Sequence, residues 1–99
     1  MARYDVYRAS DGSGYLLDVQ TDLLEILHTR VVVPLLPKAD VPAPVRALHP
    51  VFQIGETEVV MATHLLAAIP ATALRLPVAN LSHGADEVTR ALDMLFHGF

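Results

Sequence analysis

Hydropathy along this 99-residue chain changes period once, near its end. Through most of the length, apolar residues recur every second position or in short β-branched runs; only the last fifteen or so follow the turn of a helix. Arg3-Tyr4-Asp5-Val6-Tyr7 alternates, with Tyr4 and Val6 on one face. "SDGSG" (Ser10 to Gly14) is a dense turn signal. Alternation resumes from Tyr15 to Gln20, with Tyr15, Leu17 and Val19 facing one way and Asp18 and Gln20 the other, so the two runs form a hairpin with a long, mobile tip. "RVVVPLL" (Arg30 to Leu36) reads as a strand buried on both faces, which puts Pro34 at its end or on an edge. Four prolines between Pro37 and Pro50 mark a surface crossover, because proline fixes φ and donates no backbone hydrogen bond.

In "VFQIGETEVVMA", Phe52 and Ile54 share a face, Gly55-Glu56 suit a tight turn, and Thr57, Val59 and Met61 share the next face: a second hairpin. Leu74 and Leu76 point to one more short strand, ended by Pro77. The terminal helix is announced by Asn80 or Ser82 as cap and by Asp86 and Glu87 in the first turn, where the dipole favours negative charge. Val88, Ala91, Leu92, Leu95, Phe96 and Phe99 then form one stripe, expected to pack on the core. Gly98 is a helix-ending residue and sets Phe99 apart as a separate apolar tip. Short strands followed by one terminal helix predict a single mainly β domain over 1–99: a small barrel or curled sheet with a C-terminal α-helix against it.

An apolar content of 53% is ample for a core, while 18% charged residues leave little polar cover for a domain this small. A homodimer is the expected way to cover the remainder. A net charge of −4 and seven scattered Lys and Arg residues argue against a nucleic-acid surface, which shows as a basic patch. No cysteine is present, excluding disulfides and thiolate metal sites and fitting a reducing compartment. The first eight residues include Asp5 and do not read as a signal peptide, and the uncharged stretch Val59 to Leu74 is too short and interrupted to span a bilayer. A cytoplasmic protein with no membrane contact is the expectation.

Catalytic signals are weak. The histidines (His28, His49, His64, His83, His97) have no metal-ligand spacing, "SDGSG" lacks the lysine and helix of a phosphate-binding loop, and Ser82-His83 are adjacent, which is not how a nucleophile and its base are supplied. Asp18 with Asp22, or Asp22 with Glu25, are the nearest thing to paired carboxylates, and strand-end acids are ordinarily just solvated. No catalytic residue, metal or cofactor is assigned.

The order and spacing of several segments do carry information. "VANLSHGADEVTRALDMLFHGF" (Val78 to Phe99) resembles the C-terminal helix of the CcdB toxins, where a Leu-Ser-His cap precedes a helix closing on apolar-Phe-Trp-Gly-Ile. "YLLDVQTDLLE" (Tyr15 to Glu25) is similar to that family's Asp-Val-Gln-Ser-Asp-Ile-Ile segment, "RVVVPL" (Arg30 to Leu35) to its Arg-Arg-hydrophobic-Pro-Leu strand, and "HPVFQIGETEVVMATHLLAAIP" (His49 to Pro70) to its Tyr-Pro-Val-hydrophobic-Ile-Gly strand pair. Lys38 to Leu48 is the least similar part. The resemblance implies an SH3-like small barrel plus a small antiparallel sheet, the fold shared with MazF-type toxins. It further implies a homodimer without catalysis that binds the A-subunit of DNA gyrase and traps the cleavage complex. A CcdA-like antitoxin would neutralise it, in a module serving plasmid maintenance and transcription autoregulation.

Carried over residue by residue, the gyrase-binding surface falls on Leu23, Leu24, Asp93, Phe96, His97, Gly98 and Phe99. The antitoxin-binding tip falls on Arg8, Ser10, Asp11, Gly12, Ser13 and Gly14, and the dimer interface on Leu95, Gly98 and Phe99. His97 departs from the family's best-known members, whose two Trp rings sandwich a gyrase arginine; imidazole is a smaller face for a cation. Asp93 stands where the family has Asn, and either attracts an arginine or pairs with His97 one turn on. Plainer readings stand beside these: Leu23 and Leu24 cover the core, and the Arg8 to Gly14 tip is a solvated hairpin end. Two other functions compete, a MazF-type endoribonuclease and a non-toxic homologue that only dimerises and binds antitoxin.

Overall fold

The computed structural model describes residues 2–99. Among these described residues seven strands precede one α-helix: β1 (Asp5–Arg8), β2 (Tyr15–Asp18), β3 (Thr29–Pro37), β4 (Val51–Ile54), β5 (Thr57–Met61), β6 (Ala67–Pro70), β7 (Ala79–Asn80) and α1 (Ala85–His97). All pairings are antiparallel, in the order β4-β5-β3-β2-β1-β7, with β6 branching from β3. The result is a nearly closed, barrel-like sheet with a C-terminal helix, mainly β as the periodicity implies.

The nine-residue strand β3 is the hub. One edge pairs with β2, while the other pairs with β6 from Thr29 to Val32 and with β5 from Leu35 to Pro37. Of the end or edge that the sequence allows, Pro34 takes no strand end; it lies inside β3, at the gap in its outer edge where the partner changes from β6 to β5. A missing N–H there breaks neither ladder, and its carbonyl still accepts from the Ala62 amide at 2.9 Å.

Both expected hairpins form. Val6 pairs with Leu17 across the first, and Phe52 with Val59 across the second, whose two-residue turn places Gly55 at φ 60°. Their inward residues build the main core, Val6, Leu17, Phe52, Ile54, Val59 and Met61, with Val33 and Leu35 from β3 and Leu81, Val88 and Ala91 from the helical end.

Three local expectations fail. Residues 74–78 form no strand, because the preceding Ala71–Ala73 turn drops Leu74 into a second small core with Tyr7 and Val32. Ala67–Pro70 pairs with β3 instead. Neither Asn80 nor Ser82 caps α1: the Asn80 side chain accepts from the Ser82 amide and donates to Asp5, Leu81 is anchored by its amide to the Tyr4 carbonyl, and a short 3-10 turn intervenes before α1 opens at Gly84 without a side-chain cap. Third, Asp18 is not a solvated strand-end acid. The outer face of β2 and β3 is itself covered, and Asp18 and Gln20 are both buried.

Candidate interaction surfaces

The α1 stripe divides along its length. Val88 and Ala91 are buried and Leu92 packs against the core, whereas Met94 and Leu95 are half-covered and Phe96 is 64% exposed. The helix outruns the barrel that covers its first turns, so the stripe is a core element only in its N-terminal half. Gly98 closes it in the left-handed region (φ 79°, ψ 13°), donating its N–H to the Met94 carbonyl at 3.0 Å. That turn throws Phe99 outward, 85% exposed, with its ring 6.1 Å from that of His97. Asp93 and His97 are exposed one turn apart and form no ion pair with each other.

A second apolar surface lies after β2. Thr21 accepts the Leu23 amide on its hydroxyl, opening a 3-10 turn over Asp22–Leu24. Leu23 is 89% exposed, and Leu24, Ile26 and Leu27 are exposed with it. Leu23 and Leu24 therefore do not cover the core. Ile26 and Leu27 were not singled out from the sequence, although "LLEIL" packs four apolar residues into five with no strand alternation. No hydrogen bond or ion pair joins this loop to the end of α1 within one chain.

What holds the loop is a buried charge cluster that the sequence reading missed. Arg30, 1% exposed, donates through Nε to Asp18 at 2.8 Å and through Nη2 to the Gln20 carbonyl at 3.2 Å and to Asp22 at 3.3 Å. Asp22 also accepts the Arg3 amide at 2.8 Å, and Gln20 accepts the Val31 amide and donates to the Leu24 carbonyl. Asp18 and Asp22 do converge, as the carboxylate spacing allows, but on a guanidinium. Burial holds the Asp18 carboxyl above its ordinary range, against the hydrogen bonds from Arg30 and Gln20.

The hairpin tip at Arg8 to Gly14 is exposed over most of its length. Asp11 organises it by accepting the Ser13 amide (2.9 Å) and hydroxyl (2.6 Å), bonds that hold its carboxyl below the usual range. Gly12 sits at φ 76°, and the Arg8 guanidinium lies 5.6 Å from the Tyr15 ring centre. Tyr7 next to it is buried, and burial pushes its hydroxyl up to about 12.

His49 and His64 form one further pair, with Nε2 and Nδ1 2.9 Å apart and rings edge to face. His49 Nδ1 accepts the Val45 amide at 2.7 Å, so its proton is on Nε2 and His64 Nδ1 is the acceptor. Burial, and then His64, lowers the proton affinity of His49. Among the described residues no group of three His, Asp or Glu side chains is placed to hold a metal ion, and no helix is long and apolar enough to cross a membrane.

Fold and surface together define a small barrel-and-helix domain that leaves apolar patches uncovered, among them one on a turn after β2 and one at the end of α1. Residues 3–98 match the family described as the CcdB protein, and the chain belongs to the CcdB family. It is, in general terms, a toxin of a toxin–antitoxin pair.

Proposed function

We propose that this toxin is a gyrase poison. As a homodimer meeting through Leu95, Gly98 and Phe99, it would present Leu23, Leu24, Asp93, Phe96, His97, Gly98 and Phe99 to the gyrase A-subunit, trap the gyrase–DNA cleavage complex, and be neutralised by a CcdA-like antitoxin that contacts the Arg8 to Gly14 tip. The observation that carries this reading is the exposure of Phe96 and Phe99 on a helix whose preceding turns are buried. An apolar terminus projected from a rigid, glycine-terminated helix costs solubility and contributes nothing to its own core, which fits a surface kept for a partner.

Chemistry at the terminus follows from the same geometry. Asp93, free of any ion pair to His97, leaves a carboxylate one turn from the ring that would meet a gyrase arginine. The carboxylate offsets part of what imidazole loses against indole as a face for a cation. Arg30 is enclosed and committed to Asp18, so it offers no cation to an RNA backbone, which weighs against the MazF-type alternative.

Purified protein added to the host's own gyrase and supercoiled plasmid tests the proposal. Accumulation of linear DNA after detergent and protease, lost in Phe99→Ser, is the expected result. Absence of a cleavage complex at any dose, with normal growth on expression, would identify a non-toxic homologue instead.

A further inference from the structure

Tyr4 holds a left-handed backbone, φ 75°, a region that glycine or asparagine enters readily and an aromatic residue does not. Strain of this kind persists only where its surroundings enforce it, and here four hydrogen bonds converge on the turn. The Arg3 amide donates to the Asp22 carboxylate at 2.8 Å, and Arg3 Nε donates to the Val19 carbonyl at 3.1 Å. The Tyr4 amide donates to the Asp18 carbonyl at 2.7 Å, and the Tyr4 carbonyl accepts the Leu81 amide at 2.9 Å. Leu81 accepts the Gly84 amide in its turn, directly before α1 opens. Two adjacent residues therefore touch both the base of the Asp22–Leu24 turn and the approach to α1, which are far apart in the chain.

Those two elements differ in what else holds them. α1 is seated on the core through Val88 and Ala91, whereas no residue of Asp22–Leu24 is buried. Without an apolar anchor, the turn keeps its place through polar contacts: Arg30 on one side and the Arg3 amide on the other. Tyr4 packs against the main core, which fixes the bond about which Arg3 would swing. Rotation about φ of Tyr4 moves everything before it, so an ordinary conformation there would carry the Arg3 amide away from Asp22. We infer that Arg3 and Tyr4 are positioning residues, which hold the Leu23–Leu24 surface at a set separation from α1 so that a single partner engages both. This deepens the proposed function, on which it rests only for what the paired surfaces bind.

The chain has no cysteine, so spin labels on Leu23→Cys and His97→Cys report one distance without other changes. Labelled full-length protein diluted with unlabelled protein gives the separation within one chain by dipolar electron spin resonance. Tyr4→Val should shift it by about 3 Å or more, the length of the hydrogen bond lost at Asp22, while Tyr4→Asn keeps the parent value. Packing alone predicts the reverse order, because valine retains more apolar contact than asparagine. Asp22→Ala removes the acceptor at a half-exposed position and should give the same shift, and Asp22→Asn, which keeps an acceptor oxygen, should restore the parent distance. The Asp22 pair decides the matter alone if Tyr4→Val does not fold. An unchanged distance in Asp22→Ala, or a shift in Tyr4→Asn as large as in Tyr4→Val, overturns the inference. No gyrase enters these measurements, so they stand even if the parent forms no cleavage complex. Where it does, Asp22→Ala should yield fewer complexes than Asp22→Asn at equal folded protein, and equal yields would count against positioning.

Discussion

Arg30 Nη2 lies 2.7 Å from the Asp18 carboxylate, with both side chains at or below 1% exposure, and the same nitrogen reaches Asp22 at the start of the apolar turn. The pair thus ties a fully enclosed point of the sheet to the loop that displays Leu23 and Leu24. Arg30 Nη1 is buried without a partner, so the enclosure costs stability as well as supplying it.

Removing one member should show the imbalance. Arg30→Met leaves Asp18 buried and unpaired, an expected loss of about 3–5 kcal/mol. Combining it with Asp18→Leu should recover much of that loss. Urea midpoints of the two variants decide the point, and equal destabilisation of both would contradict it.

The two halves of α1 should respond in opposite ways. Val88→Ala removes buried methyl groups and should cost about 1–3 kcal/mol. Phe96→Ser and Phe99→Ser, at exposed positions, should stay within about 0.5 kcal/mol of the parent in a monomeric state. Their effect is expected in self-association by analytical ultracentrifugation and in gyrase-dependent growth arrest.

Gly98 holds a left-handed conformation with open space where a Cβ would stand, so only backbone strain opposes a side chain there. Gly98→Ala should cost about 1–2 kcal/mol. Relaxation of that strain redirects Phe99, so loss of toxicity should exceed the loss of stability, a comparison made by thermal melting beside growth assays.

Restoring an indole tests the cation-face argument. His97→Trp should tighten binding to the gyrase A-subunit about two- to thirtyfold, the equivalent of about 0.5–2 kcal/mol. Isothermal titration checks it, and unchanged affinity would remove His97 from the contact.

Acid should destabilise the fold through His49. Its proton affinity in the fold lies below the ordinary value of 6.5, by burial first and by His64 second. The unfolded chain then binds the proton more readily, so the stability due to neutral His49 is fully present above about pH 6.5 and is lost as pH falls from there. Melting temperatures between pH 7.5 and 5 should fall more steeply for the parent than for His49→Gln.

Period and punctuation made the strand-rich fold, both hairpins, the central β3 run and the terminal helix legible, because alternation and helical spacing are local consequences of one-sided burial. The same local signals misplaced the helix cap and the strand after β5. Asn80 is a good cap in isolation, but Asp5 and the Ser82 amide, brought near by the fold, claim its side chain.

Residue order alone therefore determined which faces are apolar and which period each long segment follows. It did not determine which of those faces stay wet. A stripe from Val88 to Phe99 looks uniform in sequence, yet only the tertiary structure decided that the barrel is too short to cover its last turn. Likewise, Asp18 reads as a solvated strand-end acid until the folded chain covers the outer sheet face and Arg30 meets it there, because burial is set by elements distant in the chain.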